Sequence, residues 1–228
     1  MIFDLISDGI SIDLILNLVA RVFIIICILP VHEFAHAYIA HKLGDDTARL
    51  SGRMTLNPLA HIDPLGSVMI LLAGFGYARA VPVNIRNFKT GKRKKHMALV
   101  SLAGPVSNII MAFIFMFLLN AVFYLSPEFY EGSVSYYLCR FFSYTAIINI
   151  SLAVFNMIPI PPLDGSRILS SVLPDKYYYT LMQYERYIVL IIYVLILTRV
   201  LSTPLSLASG FLYDIIDRIT AYPFELFF

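Results

Sequence analysis

Residues 12–43 read IDLILNLVARVFIIICILPVHEFAHAYIAHKL, and the reading of this one stretch decides the fold. It is longer than the ~20 apolar residues that an α-helix needs to cross the hydrocarbon core of a bilayer. Arg21, Pro30, His32, Glu33 and His36 interrupt it. Pro30 cannot donate a helical hydrogen bond and predicts a kink. Such a break is tolerated at membrane depth only where protein or water satisfies the freed carbonyls. Three ionisable side chains within five positions of an apolar helix are expensive in lipid and mark a functional site. A polar cluster satisfied by neighbouring helices is the plainer alternative.

The rest of the chain agrees with a membrane setting. Of its 228 residues 59% are hydrophobic and only 14% are charged, with a mean hydropathy of +0.77. A soluble domain of this length needs more polar surface than that. The formal net charge of +2 suggests no polyanionic partner, and nucleic acid is not expected. Cys27 and Cys139 both sit in apolar stretches and predict no disulfide framework. The N-terminus shows neither the n-region of a signal peptide nor the bias of a transit peptide, so the first membrane helix is expected to act as its own insertion signal.

After the first span, Gly44 to Asp63 is polar, and the alternation over Thr47 to Leu56 suggests short strands. Pro64 to Ala80 is apolar but broken by Gly66, Gly74 and Gly76, which predicts a re-entrant or interfacial hairpin followed by a short strand near Val81 to Ile85. The basic run Lys89, Lys92, Arg93, Lys94 and Lys95 should lie on the cytoplasmic side. Further spans are predicted at His96 to Leu125, Tyr136 to Ile158 and Tyr184 to Leu201, with a loop at Ser126 to Ser133. Leu205 to Ile219 reads either as a span or as an interfacial helix, because Asp214, Asp217 and Arg218 crowd its end. The expected fold is an all-α multi-pass membrane protein of about five to six transmembrane or re-entrant segments, with short β-strands or a hairpin between the first and second core helices. Residues 1–228 are expected to form a single integral-membrane domain, with a core at 12–169 and C-terminal membrane helices at 177–220.

This topology carries its own test. With the basic run cytoplasmic and 64–80 not crossing, His32, His36 and Asp164 come to similar depth. A full crossing by 64–80 would put them on opposite sides.

The chemistry starts from His32-Glu33-Phe34-Ala35-His36, an H-E-x-x-H pattern on a helix. Residues i and i+4 project from nearly one face, so the two imidazoles can bind one zinc ion. Glu33 beside them can take a proton from a water on the metal. Catalytic zinc commonly has three protein ligands. Asp164 is the choice for the third, because prolines 159, 161 and 162 prevent a regular helix and Gly165 permits an unusual turn that presents the carboxylate. In isolation, Asp164-Gly165 would read as a common turn.

With these residues in place the chain resembles the site-2 proteases, a family of intramembrane zinc metalloproteases. Three elements in order carry the resemblance: His32-Glu33-x-x-His36, then Ala103-Gly104-Pro105-Val106-Ser107-Asn108, then Asn156 through Gly165. The stretch Asn57 to Gly66 also looks like this family. The resemblance implies one catalytic zinc ion on His32, His36 and Asp164, with Glu33 activating its water. It implies that Asn156 holds the substrate backbone or the oxyanion, and it puts Asn108 in packing or substrate binding. It implies an endopeptidase that cuts transmembrane segments of single-span substrates, in regulated intramembrane proteolysis. It also implies a bacterial-type plasma (inner) membrane, with the active site toward the cytoplasm. The chain is similar to the compact branch, without the inserted PDZ domain or C-terminal CBS pair of many members. Association into a homo-oligomer is left open.

Other polar residues have rival readings. His61 and Asp63 are ligand candidates by chemistry, with bracing of the loop as the preferred role. His41 points away from the metal face, and His96 flanks the basic run. Arg21 lies eleven residues before His32, close to three turns, and is expected on the same face. It borders either a polar path toward the outer leaflet or a packing contact. Two other functions compete with proteolysis: a non-proteolytic membrane scaffold or chaperone, and a metal transporter. Glu33 between the histidines argues against the first. Convergence of the ionisable residues at one level argues against the second. A substrate strand could add to an edge at 47–56 or 81–85.

Overall fold

The computed structural model describes residues 11–73, 76–89, 92–126, 133–174, 176, 182–198 and 200–227. Most of the expected loop at Ser126 to Ser133 lies outside the described residues. So do Gly74, the first residues of the expected 177–220 helices, and the N-terminal ten.

Helix α1 spans Ile12–Lys42. Ser11 caps it by accepting a hydrogen bond from the Leu14 N–H at 3.1 Å. The break expected at Pro30 takes the form of a π-helical turn over Ile24–Ile28, closed by the Leu29 N–H on the Ile24 carbonyl. The wider turn lies where the proline ring would otherwise crowd the carbonyl four residues back. It also changes the phase of the helix. Arg21 and His32, expected on one face, open into different cavities.

The outward side of α1 is a stripe of Ile12, Ile15, Val19, Val22 and Ile26, all exposed. Their spacing of three and four residues is that of one helical face, and lipid is the medium that suits it. The opposite side packs Ala20, Ile24, Ile28 and Leu29 against Ile70, Ile148 and Leu152.

Between α1 and the next span the strands expected at 47–56 and 81–85 are not found: no strand occurs among the described residues. Thr47–Leu50 is instead one helical turn, α2, and Ile85–Asn87 is a 3₁₀ turn. Backbone groups that a sheet would pair are taken by side chains. The buried Asp45 carboxylate accepts from the Thr47 N–H at 3.1 Å, the Asn84 N–H at 2.6 Å and the Asn87 amide at 2.9 Å.

Over 64–80, expected as a re-entrant or interfacial hairpin, the chain forms α3 (Pro64–Ala73), a 10-residue helix about 15 Å long, half the hydrocarbon thickness. The chain then returns, and the Arg79 N–H donates to the His61 carbonyl at 2.8 Å. Glycines let the two arms touch: a Cβ at Gly66 would meet the Tyr77 carbonyl, and one at Gly76 would meet the Gly66 carbonyl. Arg21 closes the far end of α3, donating to the carbonyls of Ile70 at 3.0 Å and Leu71 at 2.8 Å. These carbonyls belong to the last turn, which has no intrahelical donors and favours a cation.

Helix α4 (Arg93–Leu125) and helix α5 (Val134–Asn156) bring to three the helices long and apolar enough to cross a membrane among the described residues. Helix α6 is short, Asp164–Ser170. The expected fourth span is α7 (Glu185–Leu197), whose 13 residues fall below the ~20 of a full crossing. Helix α8 (Ser202–Glu225) has 24 residues. Its inner face packs Ile216 against Ala112, Met116 and Ile150 and adds a polar contact, in which Asn120 of α4 donates to Thr220 at 3.0 Å and to Asp217 at 3.3 Å. Cys27 is exposed and Cys139 buried, both as free thiols.

The ends of the bundle are tied at the basic run. The Lys89 N–H donates to the Leu43 carbonyl at 3.1 Å, and Lys94 reaches the Leu173 carbonyl at 3.0 Å. The C-terminal end of α1, the start of α4 and the end of α6 therefore share one side of the molecule.

Candidate metal centre

His32, Glu33 and His36 are 5%, 5% and 7% exposed on the inner face of α1. Each imidazole is held from behind by an acceptor on α4. His32 Nδ1 lies 3.0 Å from Asn108 Oδ1, and His36 Nδ1 lies 2.7 Å from the Val100 carbonyl. An oxygen acceptor at Nδ1 requires the proton there, so in the neutral rings, the form that binds a metal, both Nε2 atoms present lone pairs. Those lone pairs face each other across 3.1 Å.

Asp164 completes the group. Its Oδ2 lies 3.4 Å from His32 Nε2 and 3.2 Å from His36 Nε2. The three residues are brought together from α1 and the start of α6, as the topology required. Two bare nitrogens and a carboxylate oxygen at these distances repel one another unless a cation sits among them. A tetrahedral zinc ion with bonds near 2.0–2.1 Å places its ligand atoms about 3.3 Å apart. The donor set and its spacing therefore fit zinc. The cluster draws positive charge into itself.

Two glycines make the convergence sterically feasible. A Cβ at Gly104 of α4 would collide with the His32 and His36 rings. A Cβ at Gly165 would collide with the carbonyls of Met157 and Ile158. Gly165 was expected to supply an unusual turn. It has no positive φ and sits in the first turn of α6, where what it supplies is close approach.

Glu33 stands beside this group and is held separately, its Oε2 accepting from the Val81 N–H at 2.9 Å. The carboxylate opens with the three ligand candidates onto a cavity of about 340 Å³. Leu29, Met69, Phe155 and Ile192 form apolar wall, and Asn156 at the end of α5 is also on it. Asn108 is not. It is 1% exposed and lies behind His32, a position that suits packing, the first of the two roles expected for Asn108, rather than contact with a substrate or oxyanion. Its carboxamide oxygen meets the His32 ring.

The rival ligands are engaged elsewhere. His61 is buried and its Nε2 meets the Thr55 carbonyl at 2.8 Å. Asp63 caps α3, accepting from the Gly66 N–H at 2.9 Å. His41 pairs with Asp46, and His96 meets the Phe88 ring edge-on at 5.6 Å.

Sequence reasoning missed three contributors to the cavity: the returning arm Gly76 to Val81, Val189 and Ile192 of α7, and Arg167. Arg167 was within reach of inspection, because it follows Asp164 by three residues and so shares its side of α6. A backbone arm carries no side-chain signal.

Comparison with known proteins gives a consistent picture. The model of Peptidase family M50 matches residues 20–199. The Bacillus subtilis protein named "Putative zinc metalloprotease YwhC" is 47% identical over 167 residues, 73% of this chain and 75% of that protein. The Mycolicibacterium smegmatis protein named "Putative zinc metalloprotease Rip2" is 28% identical over 179 residues, 76% of this chain and 65% of that protein. The Methanocaldococcus jannaschii "Putative zinc metalloprotease MJ0611" is 33% identical over 138 residues, 60% of this chain and 62% of that protein. No solved structure gives a significant match.

Proposed function

The chain belongs to peptidase family M50, the site-2 protease family, and from that premise we propose that it is a zinc-dependent endopeptidase cutting single-span membrane proteins within the bilayer. The observation that carries the reading is the meeting of two imidazole lone pairs and the Asp164 carboxylate at 3.1–3.4 Å, beside a carboxylate that takes no part in the group.

His32, His36 and Asp164 would hold one zinc ion. When bound, the ion supplies Lewis acidity and lowers the pKa of water toward neutrality. Glu33 accepts the proton of the attacking water and delivers it to the leaving amine. The Val81 N–H steadies one oxygen of Glu33 and leaves the other for that transfer. Asn156, on the cavity wall, offers its amide to the carbonyl oxygen that gains charge. The apolar walls keep bulk water away and strengthen each of these interactions.

The substrate reaches this site from lipid and is extended at the cut, since a helix ties up its carbonyls internally. The basic run beside the end of α1 supports a plasma-membrane orientation with the site toward the cytoplasm. The convergence of the ionisable groups in one cavity favours catalysis over an ion path.

Purified wild type and Glu33→Gln, assayed together for zinc content and for cleavage of a single-span substrate, test the proposal. Glutamine keeps an acceptor for Val81 and loses the base. Full zinc content with cleavage reduced by about 10²–10⁴-fold is expected. Equal cleavage by the two forms would remove the mechanism.

A further inference from the structure

Arg167 is half-buried on the wall of the same cavity, and nothing in the reaction so far uses it. The other charged groups on that wall already have partners. Asp164 faces the two imidazoles, and Glu33 is held by Val81. Glu185 heads the α7 stripe that carries Val189 and Ile192, and it forms no ion pair with Arg167. Among the described residues no hydrogen bond or ion pair engages the Arg167 guanidinium, while its surroundings include the apolar Leu163, Val189 and Ile192.

A guanidinium kept against apolar wall without an anion is costly, and a planar carboxylate is the group that satisfies it best. We infer that Arg167 is a specificity-determining residue that receives a carboxylate of the bound peptide. This rests on the peptidase reading of the cavity. Two sources offer that chemistry: an acidic side chain near the scissile bond, and the new C-terminal carboxylate of the cleaved product.

A panel of single-span substrates tests it, with one glutamate walked through the cut region and glutamine and lysine versions at each position. The full-length protein, in bilayer or micelle, is assayed for kcat/KM as wild type, Arg167→Gln and Arg167→Glu, with zinc content as a check that the site is intact. At one position wild type should prefer glutamate over glutamine by roughly tenfold to hundredfold, the range for hydrogen bonds to charged groups. Arg167→Gln should erase the preference, and Arg167→Glu should move it to lysine at the same position.

Product peptides ending in a free acid or an amide separate the second source. Stronger binding of the acid by wild type, lost in Arg167→Gln, assigns the carboxylate to the product end. A glutamate preference that survives Arg167→Gln, or the absence of any carboxylate preference in wild type, overturns the inference. A wild type that cleaves none of the panel sinks the peptidase reading, and the acid and amide peptides, read by binding alone, still decide the role of Arg167.

Discussion

Two cavities share Phe155 as a common wall, and they treat charge in opposite ways. In the cavity bounded by α1, α5 and α8, the charge of Arg21 is satisfied by the fold itself, through Asn17 at 2.6 Å and the carbonyls of Ile70 and Leu71. In the cavity onto which His32, His36 and Asp164 open, two imidazoles and a carboxylate are aimed at one another, and among the described residues no lysine or arginine pairs with that carboxylate. Both arrangements sit in apolar surroundings, where an unsatisfied polar atom is expensive. The difference teaches how to sort buried polar residues in a membrane protein. A group whose partners are all within the chain holds structure, whereas a set of groups of one kind converging on a point is built for something the chain does not contain.

Substitutions on the two sides should separate accordingly. The largest effect is expected at Gly104, where the valine of Gly104→Val would intrude on both imidazoles. Metal content and cleavage should be lost together, with an overpacking cost of about 1–3 kcal/mol in stability. Full zinc occupancy in that variant would mean that the rings do not need their present positions.

Asn108→Leu comes next. It removes the acceptor that orients His32 and should weaken metal affinity by about 10–100-fold in chelator competition, as loss of a supporting partner commonly does. Asn108→Asp, which keeps an acceptor, should recover much of it.

Arg21→Leu should do least to the metal. It frees the end of α3 and exposes the Asn17 amide, costing about 1–3 kcal/mol in thermal unfolding with zinc content unchanged. A fall in zinc as steep as that of Asn108→Leu would erase the distinction between the two cavities.

Much of this molecule is legible in its residues taken in order. Apolar runs locate α1, α4 and α5 because lipid forces each spanning segment to satisfy its own backbone. The spacing of His32 and His36 announces a shared face because four residues make close to one helical turn. The short helix α3 is foretold by its glycines and its length. The strands expected around Thr47 and Val81 fail for a reason that alternation cannot reveal: Asp45 and Glu33 capture the backbone N–H groups that a sheet would have paired. The shared face expected of Arg21 and His32 fails because one π turn over Ile24–Ile28 lies between them.

The chain by itself thus determined where the long apolar helices α1, α4 and α5 lie and which residues could bind a metal, since each depends on periodicity or on the chemistry of single side chains. Only the tertiary structure decided that Asn108 stands behind His32 rather than before the substrate, that Gly104 and Gly165 are needed for close approach, and that Arg167 opens into the cavity. These are distances between residues far apart in the chain, set by how α1, α4 and α6 pack, and packing has no period to read.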